Sequence, residues 1–512
     1  MLLDVKAFEA AAIQALERGD VAALLNGVEA ADSGSPGQFP RGTTAEQPQE
    51  QPPQKMEEAP SPGTQPKAEG PRVRFEPQFA TNTAPWPKPM AREAFYGIVG
   101  RFIDLVAPHV EADTQFLLLI FLVYAGNIIG RMCYAMAGGD RHYTNLYLCG
   151  IGPTSYARKG SATSPVEMFF REGPSAAGLP NILTGLSSGE GTIWAVRDEV
   201  KGTRWDQKTK KYTEVTIHEA VSDKRLLICL GEFMSCLGVM RREGNTLSPI
   251  IRLAWERGDL IAPSKNSPAK ATGAHVSLVA MISKEELVRS IEDVDADNGL
   301  LNRFLFCCST RSKPLPEGGK LWEVIEKPEW HELQKDFNRI TPIKERRMAR
   351  DEGAADIWGR DAYPDRGVYA ELTKERFGLA GVATARAHAQ VLRLSLLYAV
   401  LDKAEEIRPE HLDAALAVWK YCEDSARFVF GDALGDPVAD SILKALRAAA
   451  NGLSRTEIRD FFHRKKQEGE INRALLLLHQ KGMARFDRRE TGGRPTELWF
   501  ATSGAPATKG GL

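Results

Sequence analysis

The chain is 512 residues long, 43% hydrophobic and 26% charged, the balance of a globular protein with a sizeable core and room for two or three domains. Its 66 Lys and Arg nearly cancel its 67 Asp and Glu, so no global field draws it to a polyanion, and any basic surface must be local. The seven cysteines include no CxxC pair and fall mostly in apolar runs, which reads as buried reduced thiols of a cytosolic protein rather than a metal or redox site.

The first stretch, "MLLDVKAFEAAAIQALERGD", carries charges throughout and does not read as a signal peptide. Apolar spacing near 3.6 over 5–28, broken at Gly19-Asp20, predicts two short helices within a segment 1–32. Residues 33–90 hold 13 of the 30 prolines, with Gln, Glu, Ser and Gly. Such a stretch buries too little apolar surface to offset its ordering entropy, and it predicts a disordered linker. Helices are expected over "AREAFYGIVGRFIDLVAPH" and over 112–130, giving a helical collar at 91–140. The run "FLLLIFLVYAG" is too short to span a bilayer and is followed by Asn127. It predicts a buried helix, no membrane partner and a cytoplasmic location.

From 141 to 330 the texture alternates. "TNLYLCG", "RLLICLG", "AHVSLVAMIS" and "NRFLFCCST" are β-rich runs separated by helical or glycine-rich stretches. This spacing predicts an α/β core with a mostly parallel sheet. A helical subdomain is expected over 331–435.

The first of these strands runs into "IGPTSYARKGS". Gly152 opens a loop, Lys159-Gly160-Ser161 could supply a phosphate lysine and a Mg²⁺-binding hydroxyl, and a helix is expected near Ser164-Pro165. Six residues, not five, separate Gly152 from Lys159, and Ala157 or Arg158 stands where a second glycine is usual. The loop therefore reads either as a nucleotide site or as an ordinary strand-to-helix connection. "DKRLLICLGEF" ends a strand near Glu232, which reads either as a water-orienting base or as a solvated strand end. Ser283 closes "AHVSLVAMIS", where a γ-phosphate could be sensed. Arg303, at the entrance to the next strand, reads either as a trans-acting arginine of a ring ATPase or as a structural arginine.

Residues 436–500 predict a winged helix. Ser454 and Glu457 form a capping-box pair, Gly482 ends a helix, and two β-rich runs surround a Gly-Gly turn. Between Ser454 and Arg494 there are 11 Lys or Arg and 6 Asp or Glu, a local net of +5. That excess suits a DNA backbone. The candidate contacts are Lys465, Lys466, Arg473, Arg488, Arg489 and Arg494; protein docking is the alternative. Residues 501–512 read as a disordered tail.

Taken together, "WPKPMAREAFYGIVGRFI", "EADTQFLLLIFLVYAGNIIGR", "GDRHYTNLYLCGIGPTSYARKGSA", "RREGNTLSPIIRLAWERGDL" and "NGLLNRFLFCCSTRSKPLPEGG" resemble a family of bacterial and phage RecA-like P-loop ATPases of mobile elements. These are often encoded beside, or fused to, primase-polymerase domains. The resemblance covers roughly residues 85–500. It implies that Arg158-Lys159-Gly160-Ser161 is that family's own phosphate loop, with Lys159 on the phosphates and Ser161 on Mg²⁺. It also implies ATP as ligand, DNA and a primase or other replication protein as partners, and a homo-oligomer, a hexamer among the options. Relatives carry a run of acids after the second motif's strand, whereas this chain has Leu230-Gly231-Glu232. The expected function is a replicative helicase-like protein or helicase loader. A nucleotide-gated DNA-binding adaptor with little turnover is the alternative, and a small-molecule phosphotransferase is a third reading disfavoured by the basic C-terminal module.

Overall fold

Five apolar runs build the centre of the molecule: β1 (Tyr147–Ile151), β2 (Asn181–Leu183), β3 (Arg225–Leu230), β4 (His275–Ile282) and β5 (Phe304–Cys308). They form one sheet in the order β5-β1-β4-β3-β2, with every pairing parallel. The computed structural model describes residues 85–153, 160–171, 179–207, 210–262, 269–291, 299–340, 345–363, 365–376, 378–431, 433–434, 436–489 and 496–502. The N-terminal segment and most of the linker expected at 33–90 lie outside these residues, as do Arg158, Lys159, Arg494 and nearly all of the 501–512 tail.

Parallel strands buried on both faces read as continuous apolar runs, because alternate side chains enter two different cores. Here Leu148, Leu227, Val279 and Leu305 face one cluster, while Tyr147, Leu226, Leu278 and Phe304 face the other. The first face is covered by helices Gly97–Val106, Thr114–Ile129, Thr163–Arg171 and Pro328–Asn338. The second is covered by Phe233–Met240, Leu247–Glu256 and Lys284–Ile291. The helices expected as a collar at 91–140 therefore belong to the sheet's own core. The end of that segment is also not helical, since Cys133–Ala137 and Asp140–His142 form an antiparallel strand pair.

Helix Thr114–Ile129 is buried at every position from Phe116 to Ile129, as an all-apolar helix must be. Asp113 caps it, accepting from the amides of Gln115 and Phe116 at 2.9 and 3.3 Å. Its one polar interior residue, Asn127, is fully buried and donates to the carbonyls of Leu226 and His275 at 3.0 and 3.3 Å. No described helix is long and apolar enough to cross a membrane. Six of the seven cysteines are buried and Cys229 is partly so; all are free thiols. Burial pushes the thiols of Cys236 and Cys308 up to about 12.

Helix Pro409–Phe430 stops at Gly431, whose φ of +53° few other residues tolerate. Beyond it stands a module with its own core of Val438, Ile442, Leu446, Ile458, Leu475 and Trp499 among others. Its helices are Pro437–Ala448, Arg455–Phe461 and Glu468–Gln480. Its strands Leu453–Ser454, Ala484–Arg489 and Thr496–Ala501 form an antiparallel sheet with the last strand central. The capping box forms as expected: the Ser454 amide donates to the Glu457 carboxylate at 2.7 Å, and the Glu457 amide to Ser454 Oγ at 3.2 Å.

Candidate functional site at the carboxyl edge of the sheet

The chain leaves β1 for the far edge strand β2, whereas it leaves β4 to cross back over β1 and form β5. Right-handed crossovers put those two connections on opposite faces, which opens a crevice beyond the carboxyl ends of β1 and β4. The "IGPTSYARKGS" segment begins there. The Gly152 amide donates to the Ile282 carbonyl at 3.3 Å, and the Ser309 amide to the Ile151 carbonyl at 2.7 Å, so β1 stays held between its neighbours up to the first loop residue.

Residues 154–159 of the segment are not among those described. Its far end is: Gly160–Ala162 form one 3-10 turn that runs into helix Thr163–Arg171, a little earlier than the sequence implied. The Thr163 hydroxyl closes the turn on the Gly160 carbonyl at 3.0 Å. Gly160 and Ser161 are exposed, while Val166, Phe169 and Phe170 anchor the helix in the core. Glu167 of this helix accepts from the buried Tyr124 hydroxyl at 2.8 Å, tying it to helix Thr114–Ile129.

Glu232 lies two residues past Leu230, which pairs with Ala280 of β4. It is exposed and starts helix Phe233–Met240. With β4 alone between β1 and β3, the carboxyl ends of those two strands stand two spacings apart, about 9–10 Å. Ser283 is buried, and its hydroxyl serves a capping box: it donates to Glu286 Oε2 at 2.8 Å and accepts from the Glu286 amide at 3.2 Å. Asp113, which sequence reasoning passed over, also comes to this edge and accepts from the Thr310 amide at 3.2 Å. Burial raises its pKa. An acid directly before "TQFLLL" was the available signal, since Asp is a preferred helix cap.

Arg303 lies away from the loop. It precedes β5 and so sits at the amino edge of the sheet, about 17 Å of strand away from the loop. It is 5% exposed and bonds Glu256, the Gly299 carbonyl and, at 3.2 Å, Asn302. Arg386 holds the same Glu256 at 2.7 Å. Burial lowers the Arg303 pKa, and the nearby Arg386 adds to that. Burial and pairing with Glu256 favour the structural reading of Arg303 over the trans-acting one.

In the C-terminal module, Arg473 and Arg488 have side chains 71% and 72% exposed, with long ion-pair contacts to Asp436 at 3.9 Å and Glu497 at 3.6 Å. Lys465 is exposed, and Lys466 pairs with Glu470 at 3.4 Å. Arg489 ends the strand Ala484–Arg489. The loop carrying the two lysines holds His463 and Arg464 at φ of 50° and 59°, a conformation non-glycine residues adopt at some cost.

A further element was missed altogether. Val200–Asp206 and Lys211–His218 form an antiparallel hairpin that pairs with no other strand among the described residues. It exposes Trp205, Tyr212 and Ile217 together with Lys201, Arg204, Lys210 and Lys211. Its base is clamped by Asp198, which meets Lys224 at 2.8 Å and the Thr272 hydroxyl at 2.6 Å. Compared with known proteins, the chain matches no family model and shows no significant similarity to any curated protein.

Proposed function

We propose that this chain is an ATP-binding, DNA-handling protein of the helicase or helicase-loader kind, built on a RecA-like P-loop core with a C-terminal winged helix. The observation that carries the reading is the strand order: a glycine-led segment leaves β1, beside β4 at the switch point, and a helix begins at Thr163, with an exposed carboxylate two strands away at the end of β3. Arg158, Lys159 and Gly160 would hold phosphates and Ser161 would hold Mg²⁺. The exposed Gly160-Ser161 turn at the start of a helix fits that use. Because the Gly152 amide is committed to Ile282, Gly152 would aim the loop rather than donate to a phosphate. Glu232 would orient the attacking water.

Two surfaces support DNA as the partner. The C-terminal module runs helix, short strand, two helices and a strand pair, an order that supports the winged-helix reading, and it presents Arg473, Arg488 and Lys465. The isolated hairpin combines aromatic faces with cations, the pattern suited to stacking and tracking a single strand. A two-stranded ribbon alone is marginal in water, which further suits a partner-binding role.

A second reading, the adaptor with little turnover, is favoured by the commitments of Ser283 and Arg303, which leave Glu232 as the exposed acid at the end of β3. Steady-state hydrolysis with and without DNA separates the two. DNA-stimulated turnover that disappears in Glu232→Gln supports the motor. Tight nucleotide binding with no turnover under any condition supports the adaptor.

A further inference from the structure

At the amino edge of the sheet, on the far side from the β1 loop, a cavity of about 620 Å³ lies between three parts of the chain. These are the strand pair Cys133–Ala137 and Asp140–His142, the segment around helix Glu352–Trp358, and the start of helix Ala387–Leu401. Arg350, Arg366 and Arg386 line it, with His142, His388 and Trp358.

The charges do not balance. Arg350 lies 3.9 Å over the Trp358 ring, and its Nε is buried with no hydrogen-bond partner. Burial alone, with no neighbouring acid, pulls its pKa down to about 10. Arg366 packs over Tyr363 and forms no ion pair among the described residues. Arg386 is held by Glu256 and Arg360 by Asp356. The acids of the lining, Asp140 and Asp361, are exposed at its rim rather than paired inside. The Nδ1 atoms of His142 and His388 are buried and unpartnered. Burial lowers both imidazole pKa values, that of His142 to about 3, so both rings are neutral near pH 7.

A half-buried guanidinium with no counter-ion is unfavourable until an anion supplies one. Arginine forks match phosphate oxygens in geometry and charge. Neutral imidazoles add hydrogen-bonding groups, Trp358 and Tyr369 add apolar faces, and the volume suits one small molecule. We propose that this cavity binds a phosphate-bearing small molecule of nucleotide size, with Arg350 and Arg366 on the phosphate and Trp358 beside the uncharged part. This site is independent of the β1 loop and of the function assigned to that loop.

The test is calorimetric titration of the full chain carrying Lys159→Ala, so that the β1 loop does not contribute, with pyrophosphate, AMP, ADP and ATP in turn. The expected result is one saturable site per chain for at least one of these. Arg350→Gln should weaken it about tenfold or more, and Arg366→Gln several-fold. Arg366 is exposed, so its substitution leaves the fold intact and decides the question should Arg350→Gln fail to fold. Pyrophosphate binding as tightly as ADP assigns recognition to the phosphates alone, and tighter ADP binding assigns a base contact beside Trp358. Absence of saturable binding for all four probes overturns the proposal, as does affinity unchanged by Arg366→Gln. Loss of the loop's own function in Lys159→Ala leaves either outcome readable.

Discussion

Gly150 lies directly against the ring of Phe116: a Cβ at Gly150 would come within 2.4 Å of the ring's Cε2 and Cζ. Only a glycine lets the first turn of helix Thr114–Ile129 close on the carboxyl half of β1, the strand that aims the loop. Gly150→Ala should therefore cost about 1–3 kcal/mol of stability through overpacking, measured by urea unfolding. Gly160→Ala, where a Cβ meets nothing within 4 Å, should change stability by no more than about 0.5 kcal/mol. Equal costs at the two positions would show that Phe116 does not constrain β1.

Lys159→Ala should weaken ATP binding by about 1.5–3 kcal/mol, the range for a charge-assisted hydrogen bond, with the fold retained. Glu232→Gln should leave affinity near wild type and lower turnover by about 10²–10⁴. Equilibrium binding and single-turnover hydrolysis read the two effects separately. Unchanged affinity in folded Lys159→Ala would reduce the loop to a connection.

Arg303→Ala should act on stability. Breaking a buried pair costs about 3–5 kcal/mol, and a value at the lower end is expected because Glu256 keeps Arg386 at 2.7 Å and is itself partly exposed. Turnover per folded molecule should hold, and mixing with Lys159→Ala protomers should restore nothing. Rescue in the mixture would return Arg303 to a role between subunits.

Removing residues 436–512 should weaken duplex DNA binding and flatten its salt dependence, by about 0.9 in the log–log slope for each DNA phosphate the module no longer neutralises. The cut keeps Ala433, whose carbonyl accepts from the Leu379 amide at 2.7 Å, and the module has a core of its own. Arg473→Ala with Arg488→Ala should lower the slope by up to roughly two units. Identical affinity and slope at every salt concentration would assign the module to protein docking, for which the exposed Leu476 on the helix of Arg473 offers a foothold.

Trp205→Ala and Tyr212→Ala should each reduce single-stranded DNA affinity by about 1–3 kcal/mol, the range for one base–aromatic stack. The rings stand 5.0 Å apart, edge to face, and both are exposed, so Tm should barely move. A large drop in Tm would mean that they hold the hairpin itself together.

The four long strands of the sheet were legible because largely apolar, β-rich runs of five to eight residues have few other uses. The positions of Gly152 and Glu232 just past strand ends were legible because each closely follows an apolar run. β2 was not, because Asn181–Leu183 is three residues long and half-exposed at an edge. The hairpin was missed for a related reason: with no face buried, its sequence alternates too weakly to announce a strand. The burial of Arg303 was not legible because charged residues are mostly exposed, and its partner Glu256 lies 47 residues earlier in the chain. The cavity draws on residues from three separated segments, and only the folded chain brings them together.

The buried thiols turn the α/β body into its own stopwatch. Every cysteine lies between Cys133 and Cys422, and the C-terminal module has none. A thiol must both surface and ionise before an alkylating reagent can take it, and burial at Cys236, Cys308 and Cys422 opposes both steps. Labelling rates read by mass spectrometry therefore clock the opening of the sheet and its helices and stay blind to fraying of the module. Repeating the measurement with nucleotide and then with DNA would tell which ligand tightens the body and which acts beyond it, with no residue replaced.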